Sequence, residues 1–180
     1  MADFKTAYEI TLKNEYGYTP PITKDPGGET FDGIDRRDNA DWAGWKFVDE
    51  LKSTAGKGLK LGNYLRKDPK VREARDAYYA AIWEKLLLDK VINQSVANNI
   101  FDAYINPGAA SIKIVQEWCG VTKDGIVGQK TINAINAANP QSLIFALYTW
   151  KRGYYEARPQ SLKDEFLVGW LSRAEKMRTA

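Results

Sequence analysis

From Asp41 to the C-terminus the apolar residues return every three or four positions, and most of these stripes are closed by a glycine or a proline. That spacing is the repeat of a helix burying one face, and it lacks the alternation of a half-buried strand. Trp42, Trp45, Phe47, Val48 and Leu51 form the first stripe, with Asp41 as a candidate N-cap. Asp68 followed by Pro69 is a cap before a proline at the first helical position. The helix it opens is predicted to reach about Leu88, with Val71, Ala74, Tyr78, Ile82 and Leu86 buried. Further helices are predicted from about Ser95 to Ile105, Ala109 to Trp118, Gln129 to Ala138 and Pro140 to about Arg158. Pro159 opens a last one, with Leu162, Phe166, Trp170, Leu171 and Ala174 as its buried stripe. Upstream, Phe4, Ala7, Tyr8, Ile10 and Leu12 predict a helix ending near Asn14. The fold class is mainly α, with room for one short β-hairpin in residues 17–35.

The composition removes several chemistries. The chain has 180 residues, 44% of them hydrophobic and 27% charged, as expected of one compact domain or a domain with a small appendage. There is no histidine, which excludes Ser-His-Asp and Cys-His catalysis and the commonest zinc sites. The single cysteine, Cys119, has no internal partner and reads as a small core residue. Acid and base work falls to Asp, Glu, Lys or Tyr. Six Trp and ten Tyr are many for this length; aromatic rings can stack on sugars, though most of these are expected to fill the core. Residues 52–67 are basic and glycine-bearing, but their glycine spacing fits neither nucleotide fingerprint, so nucleotide binding is set aside. No leader is visible in Met1-Ala2-Asp3-Phe4-Lys5, and no apolar run is long enough to span a membrane. Synthesis in the cytoplasm, no membrane insertion and a monomer are the expectations. Residues 1–106 hold 16 Lys/Arg against 17 Asp/Glu, and residues 107–180 hold 10 against 6. The basic C-terminal part suits an anionic polymer, though only weakly.

Residues 15–34 carry the chemistry. Glu15 stands at the end of the first helix beside Tyr16, Gly17 and Tyr18. Asp25-Pro26-Gly27-Gly28-Glu29-Thr30 then bring carboxylates and a hydroxyl back on a loop dense in glycine and proline. Glycosidic bonds are cleaved by two carboxyl groups, one of which stays protonated through partial burial. Glu15 fits the donor, and Asp25, Glu29 and Asp32 are candidate partners. Gly28 lets a backbone approach a substrate closely. The bland alternative is a surface glutamate and an ordinary turn. Asp32, Asp35, Asp38 and Asp41 recur at three-residue intervals, but the calcium-loop pattern fails and no metal or cofactor is expected.

The same run resembles the E-G-G-Y … D-P-G-G-x-T-x-x-G-I signature of glycoside hydrolase family 108, the phage and prophage endolysin-type N-acetylmuramidases. Some members carry the label "putative secretion activator protein". Tyr78-Tyr79 to Trp83 is similar to the family's Tyr/Trp helix, and Phe101-Asp102 with Asn106-Pro107-Gly108 resembles its F-D-x-x-V-N-x-G segment. Residues 109 onward look like its companion peptidoglycan-binding module, through Gln116, Asp124-Gly125-Ile126-Val127-Gly128, Thr131, Phe166, Gly169-Trp170 and Arg173. The resemblance implies a lysozyme-like α fold and hydrolysis of the β-1,4 bond between N-acetylmuramic acid and N-acetylglucosamine. It maps the general acid to Glu15 and implies substrate contacts at Tyr18, Gly28, Tyr79 and Asn106. In related phage lysozymes a Glu, eight residues, an Asp, five residues and a Thr form the site. Glu15 and Thr30 keep the overall distance, but Asp25 leaves nine and four residues between, and Tyr16 replaces the signature's first glycine. Asp25 is thus either the second catalytic group or a loop-former, with Thr30 holding the catalytic water.

The organisation that follows is a lysozyme-like region over residues 1–106 and a helical region over 107–180 packed on the first, which either binds the wall or serves only as structural packing for the lysozyme half. The expected partner is peptidoglycan glycan strands, and the expected place of action is the cell wall. A non-catalytic wall-binding or secretion-associated protein is the alternative. Nucleic-acid binding has no recognition-helix signature behind it. Trp83, Phe101 and Trp170 are expected in the core, Asp102 bracing a loop, Asp124-Gly125 in a turn, and Arg173 in a surface ion pair.

Overall fold

The computed structural model describes residues 1–15, 17–21, 28–55 and 59–180; Tyr16, Asp25 and Gly27 lie outside the described residues. Among the described residues there are nine α-helices and three short strands, a mainly α, lysozyme-like architecture. Contacts gather the chain into two compact units, residues 15–82 and residues 1–14 with 83–180.

The smaller unit contains the sheet. Strands β1 (Tyr18–Thr19), β2 (Thr30–Phe31) and β3 (Ile34–Asp35) pair antiparallel in that order. Tyr18 lies opposite Phe31 and Phe31 opposite Ile34, so these three share one face, and all three are buried. Thr19, Thr30 and Asp35 share the other, half-buried face. Helix α2 (Gly44–Ala55) starts three residues after Asp41, so Asp41 is not its N-cap. Instead, a turn leads in, with the Trp42 amide on the Asn39 carbonyl and the Trp45 amide on the Trp42 carbonyl. Phe31 stacks on Trp42, which meets Trp45 edge-on with centroids 5.0 Å apart. Each buried indole finds an acceptor, Trp42 on the Ala74 carbonyl and Trp45 on the Asn39 carbonyl.

Helix α3 (Leu59–Lys67) fills part of the basic, glycine-bearing stretch. It packs on β1 at Gly62, where an added Cβ would come within 3.2 Å of the Tyr18 Cβ. Helix α4 (Pro69–Lys85) follows at once, and the Asp68 carboxylate accepts from the Lys70 and Val71 amides, the cap the sequence predicts. Tyr79, not Tyr78, is the wholly buried tyrosine of α4, and Arg75 joins its buried side.

The larger unit is built around helix α5 (Gln94–Ile105), which packs on α1 (Phe4–Asn14), α6 (Ala110–Trp118), α8 (Pro140–Glu156) and α9 (Gln160–Arg178). A 3-10 turn at Leu88–Lys90 precedes α5, and α7 (Gln129–Ala137) lies between α6 and α8. Surrounded on so many sides, α5 is buried continuously from Val96 to Ala103. Phe101 and Trp83 meet at 5.6 Å and both contact Phe4, so these two aromatics are core. The Gln116 carboxamide accepts from the Gly125 amide and donates to Asp124 and the Ile126 carbonyl, fixing the turn expected at Asp124-Gly125.

Three sequence expectations change here. Arg173 is not a surface residue: it is 7% exposed and donates Nε and Nη2 to Asp102 Oδ1 at 2.9 and 2.7 Å. Lys151, wholly buried, takes Oδ2 of the same carboxylate at 3.2 Å. Burial alone would raise the Asp102 carboxyl, but Arg173 and then Lys151 outweigh it and hold it below its usual value. Burial also pulls the Lys151 ammonium down, which Asp102 only partly offsets. Secondly, of the expected α9 stripe only Ala174 is fully buried, while Leu162, Phe166, Trp170 and Leu171 are half-buried. That part of α9 lies chiefly against α8, and one neighbouring helix covers only part of each side chain. Thirdly, Cys119 is half-buried at the C-terminus of α6 and not in the core; burial raises its thiol.

Candidate active site

Two residues with left-handed backbone shape the site. Asp32 and Gly33 have φ of 44° and 83° and join β2 to β3 as a two-residue hairpin. Positive φ at both central positions is the type I′ turn, and Asp-Gly is a preferred sequence for it. Gly33 has a second reason to lack a side chain. A Cβ there would come within 2.6 Å of Glu15 Oε2 and 2.9 Å of the Tyr79 hydroxyl. The turn backbone is therefore the floor on which the Glu15 carboxyl rests. Glu15 itself follows α1 directly and is only 8% exposed.

Asp32 is the hub of this arrangement, and it is wholly buried. Its Oδ1 accepts from the Gly17 amide at 3.1 Å and from Arg66 Nε and Nη2 at 3.0 and 2.8 Å. Its Oδ2 accepts from Arg75 Nη1 at 2.8 Å, and Arg75 also pairs with Asp76. The Asp32 amide donates to the Gly17 carbonyl, and the Asp32 carbonyl accepts from the Tyr79 hydroxyl. Arg66 Nη2 further reaches the Glu15 carbonyl at 3.3 Å.

Glu29 forms a second locked carboxylate, 5% exposed. Its Oε1 accepts from the Tyr18 hydroxyl and from Lys52 Nζ, both at 2.6 Å, and its Oε2 lies 3.1 Å from Arg36 Nε. The last contact has ion-pair distance without hydrogen-bond alignment, so it acts through charge. Burial, then the bond to Glu29, pushes the Tyr18 phenol far above its ordinary value, so it stays a donor. Two buried carboxylates with cationic partners are structural ties, since separating either from its cations would strand a charge. Neither Glu29 nor Asp32 is thereby available as a second acid or base.

The other sequence-predicted residues distribute as follows. Thr30 is half-buried on the sheet face away from Tyr18, its hydroxyl 3.5 Å from the Gly28 carbonyl. Gly28, half-buried, has φ of 69°. Tyr18 and Tyr79 are buried with their hydroxyls engaged, so they brace the sheet and the turn and offer no ring face to a sugar. Asn106 belongs to the larger unit, where it ends α5 and accepts from the Tyr155 hydroxyl at 2.7 Å. Asp25 lies outside the described residues. The evenly spaced aspartates act separately: Asp35 accepts from the Asp38 amide and Asn39, and Asp38 pairs with Arg37. Sequence reasoning missed Arg66, Arg75 and the supporting role of Asp32. The Asp-Gly dipeptide was a readable signal for the turn; partners 34 and 43 residues away had none.

Residues 8–108 match the family model described as glycosyl hydrolase 108. The chain belongs to the glycosyl hydrolase 108 family. Residues 110–175 match a second model, described as a predicted peptidoglycan domain. The two matches make the chain a glycoside hydrolase that acts on peptidoglycan at the cell wall. Among solved structures it is similar to SagA of Brucella abortus, at 24% identity and a TM-score of 0.64. That likeness covers 98% of this chain and 91% of that one, and it is a likeness of fold. No curated protein matches the chain. Among the described residues, no helix is long and apolar enough to cross a membrane.

Proposed function

We propose that the protein is an N-acetylmuramidase, cleaving the β-1,4 bond between N-acetylmuramic acid and N-acetylglucosamine, with Glu15 as general acid. The observation that carries this reading is the seat of Glu15: a carboxyl 8% exposed, set against a side-chain-free turn, within the segment matched by the glycosidase model. A proton donor to a glycosidic oxygen needs such shelter from water and such a fixed position. The second group is Thr30, holding the attacking water, or Asp25 as a carboxylate partner. Glu29 and Asp32 are excluded from that part by their cations. Gly28 lets the glycan pass close to the backbone, and residues 107–180 retain the enzyme on the wall while residues 1–106 cut.

Release of soluble muropeptides from purified sacculi tests the reading. Wild type is expected to solubilise them, and Glu15→Gln to lose at least about a hundredfold in rate, as removal of a general acid does. Undiminished release by Glu15→Gln sinks the assignment.

A second reading is a wall-binding protein that has kept the fold without the reaction. Tyr16 in place of the signature glycine favours it. It predicts that the wild-type protein sediments with sacculi yet releases nothing from them.

A further inference from the structure

Glu15 and Gly17 are both held against the β2–β3 turn. The Gly17 amide and carbonyl both bond to Asp32, one to its carboxylate and one to its amide. The Glu15 carbonyl is taken by Arg66, whose guanidinium at the same time grips Asp32 Oδ1 through two nitrogens. A guanidinium can make this three-way contact because its donors form a rigid planar fork; an ammonium is a point charge. Arg75 holds the other carboxylate oxygen from α4, and Tyr79 of α4 holds the turn carbonyl. Asp32 bears a left-handed φ of 44° in order to stand here. Among the described residues, the charged and titratable groups around the Glu15 seat include Asp32 from the turn, Arg66 from α3, and Arg75 and Tyr79 from α4.

We propose that Asp32 and Arg66 are positioning residues for the reaction: as a pair they fix the Glu15 main chain, so that its carboxyl stays on the Gly33 floor in one orientation. The proposal rests on the reading of Glu15 as proton donor. It makes Arg66 the more informative of the two. Its side chain is 37% exposed, so it can be changed while the buried Asp32–Arg75 pair stays in place.

The experiment uses the full chain on soluble peptide-free glycan strands, with kcat, KM, the pH–rate profile and thermal melting measured together. Arg66→Lys is expected to lower kcat about tenfold to a hundredfold, the cost of a slightly misplaced group, with KM and melting temperature near wild type. Arg66→Gln is expected to lose a similar factor and also to move the alkaline limb of the profile to higher pH. Losing a nearby cation leaves a carboxyl more willing to keep its proton. Arg66→Lys, which keeps the charge, should leave that limb in place. Full kcat in both variants overturns the proposal. So does a loss of kcat that merely follows the unfolded fraction, with an unmoved profile. Glu15→Gln is run alongside. If it is inactive while both Arg66 variants keep the wild-type rate, only the positioning proposal fails. If it keeps the wild-type rate, the donor reading fails and this proposal with it.

Discussion

A methyl group at residue 33 would overlap the carboxyl proposed to donate the proton. Gly33→Ala places an L-residue at φ of 83°, which costs about 1–2 kcal/mol. The new Cβ would also lie 2.6 Å from Glu15 Oε2, so the carboxyl must move. The expected outcome is a folded protein with a lowered urea midpoint and at least tenfold slower muropeptide release. A variant with wild-type release would show that the seat does not matter. Asp102 gives a second prediction at this scale. Its carboxyl titrates below its ordinary value of 3.8, so the unfolded chain takes up a proton first as pH falls. The stability from its two cations is therefore complete above that value and is lost as pH falls through the folded value. Urea midpoints followed from neutrality down to about pH 2.5 should drop in wild type by a component that Asp102→Asn lacks. At neutral pH that variant should be weaker by about 3–5 kcal/mol, since it strands Lys151 and Arg173.

At the scale of elements, most helices were legible and their degree of burial was not. Asn106-Pro107-Gly108 ends α5 within a residue of the expected place because those residues cannot continue a helix. Asp68 caps α4 because the capping oxygen and the amides it serves are neighbours in sequence. Helix α3 was missed: three glycines in residues 52–67 obscured its stripe, and it is held by packing on α2 and on β1, the latter closely at Gly62. The stripe of α9 has helical spacing, but spacing does not reveal how many helices stand opposite it. The same limit hid the site: Glu15 and a short hairpin within residues 17–35 were legible, whereas Arg66 and Arg75 reach Asp32 only through tertiary packing. The difference between α5 and α9 is measurable. Phe101, wholly buried, should cost about 3–5 kcal/mol on truncation to alanine. Phe166, half-buried on α9, should cost less than half of that. Equal losses in urea denaturation would mean that a partner covers α9 in solution.

At the scale of the molecule, the two family-matched segments meet in one core. The glycosidase match ends at residue 108 and the peptidoglycan match begins at residue 110. Yet α5, on the first side of that line, is packed on α6, α8 and α9, which lie on the second. Asp102 belongs to one segment, and both of its cationic partners belong to the other. The Asn99 amide group donates to the Met177 carbonyl across the same line. A chain cut after residue 108 would keep the Glu15 seat in its sequence but would strip from α5 its packing on α6, α8 and α9, opening to water the sides of Val96–Ala103 that α1 does not cover. It would also leave Asp102 without either cation, a penalty of several kcal/mol in a fold whose whole margin is about 5–15 kcal/mol. The expected outcome is that residues 1–108 alone show no cooperative thermal transition by circular dichroism and no protected α5 amides in hydrogen exchange, while the full chain shows both. A fragment that melts cooperatively with α5 protected would mean that the glycosidase segment carries its own core. The C-terminal helices would then be an added module, free to serve the wall alone.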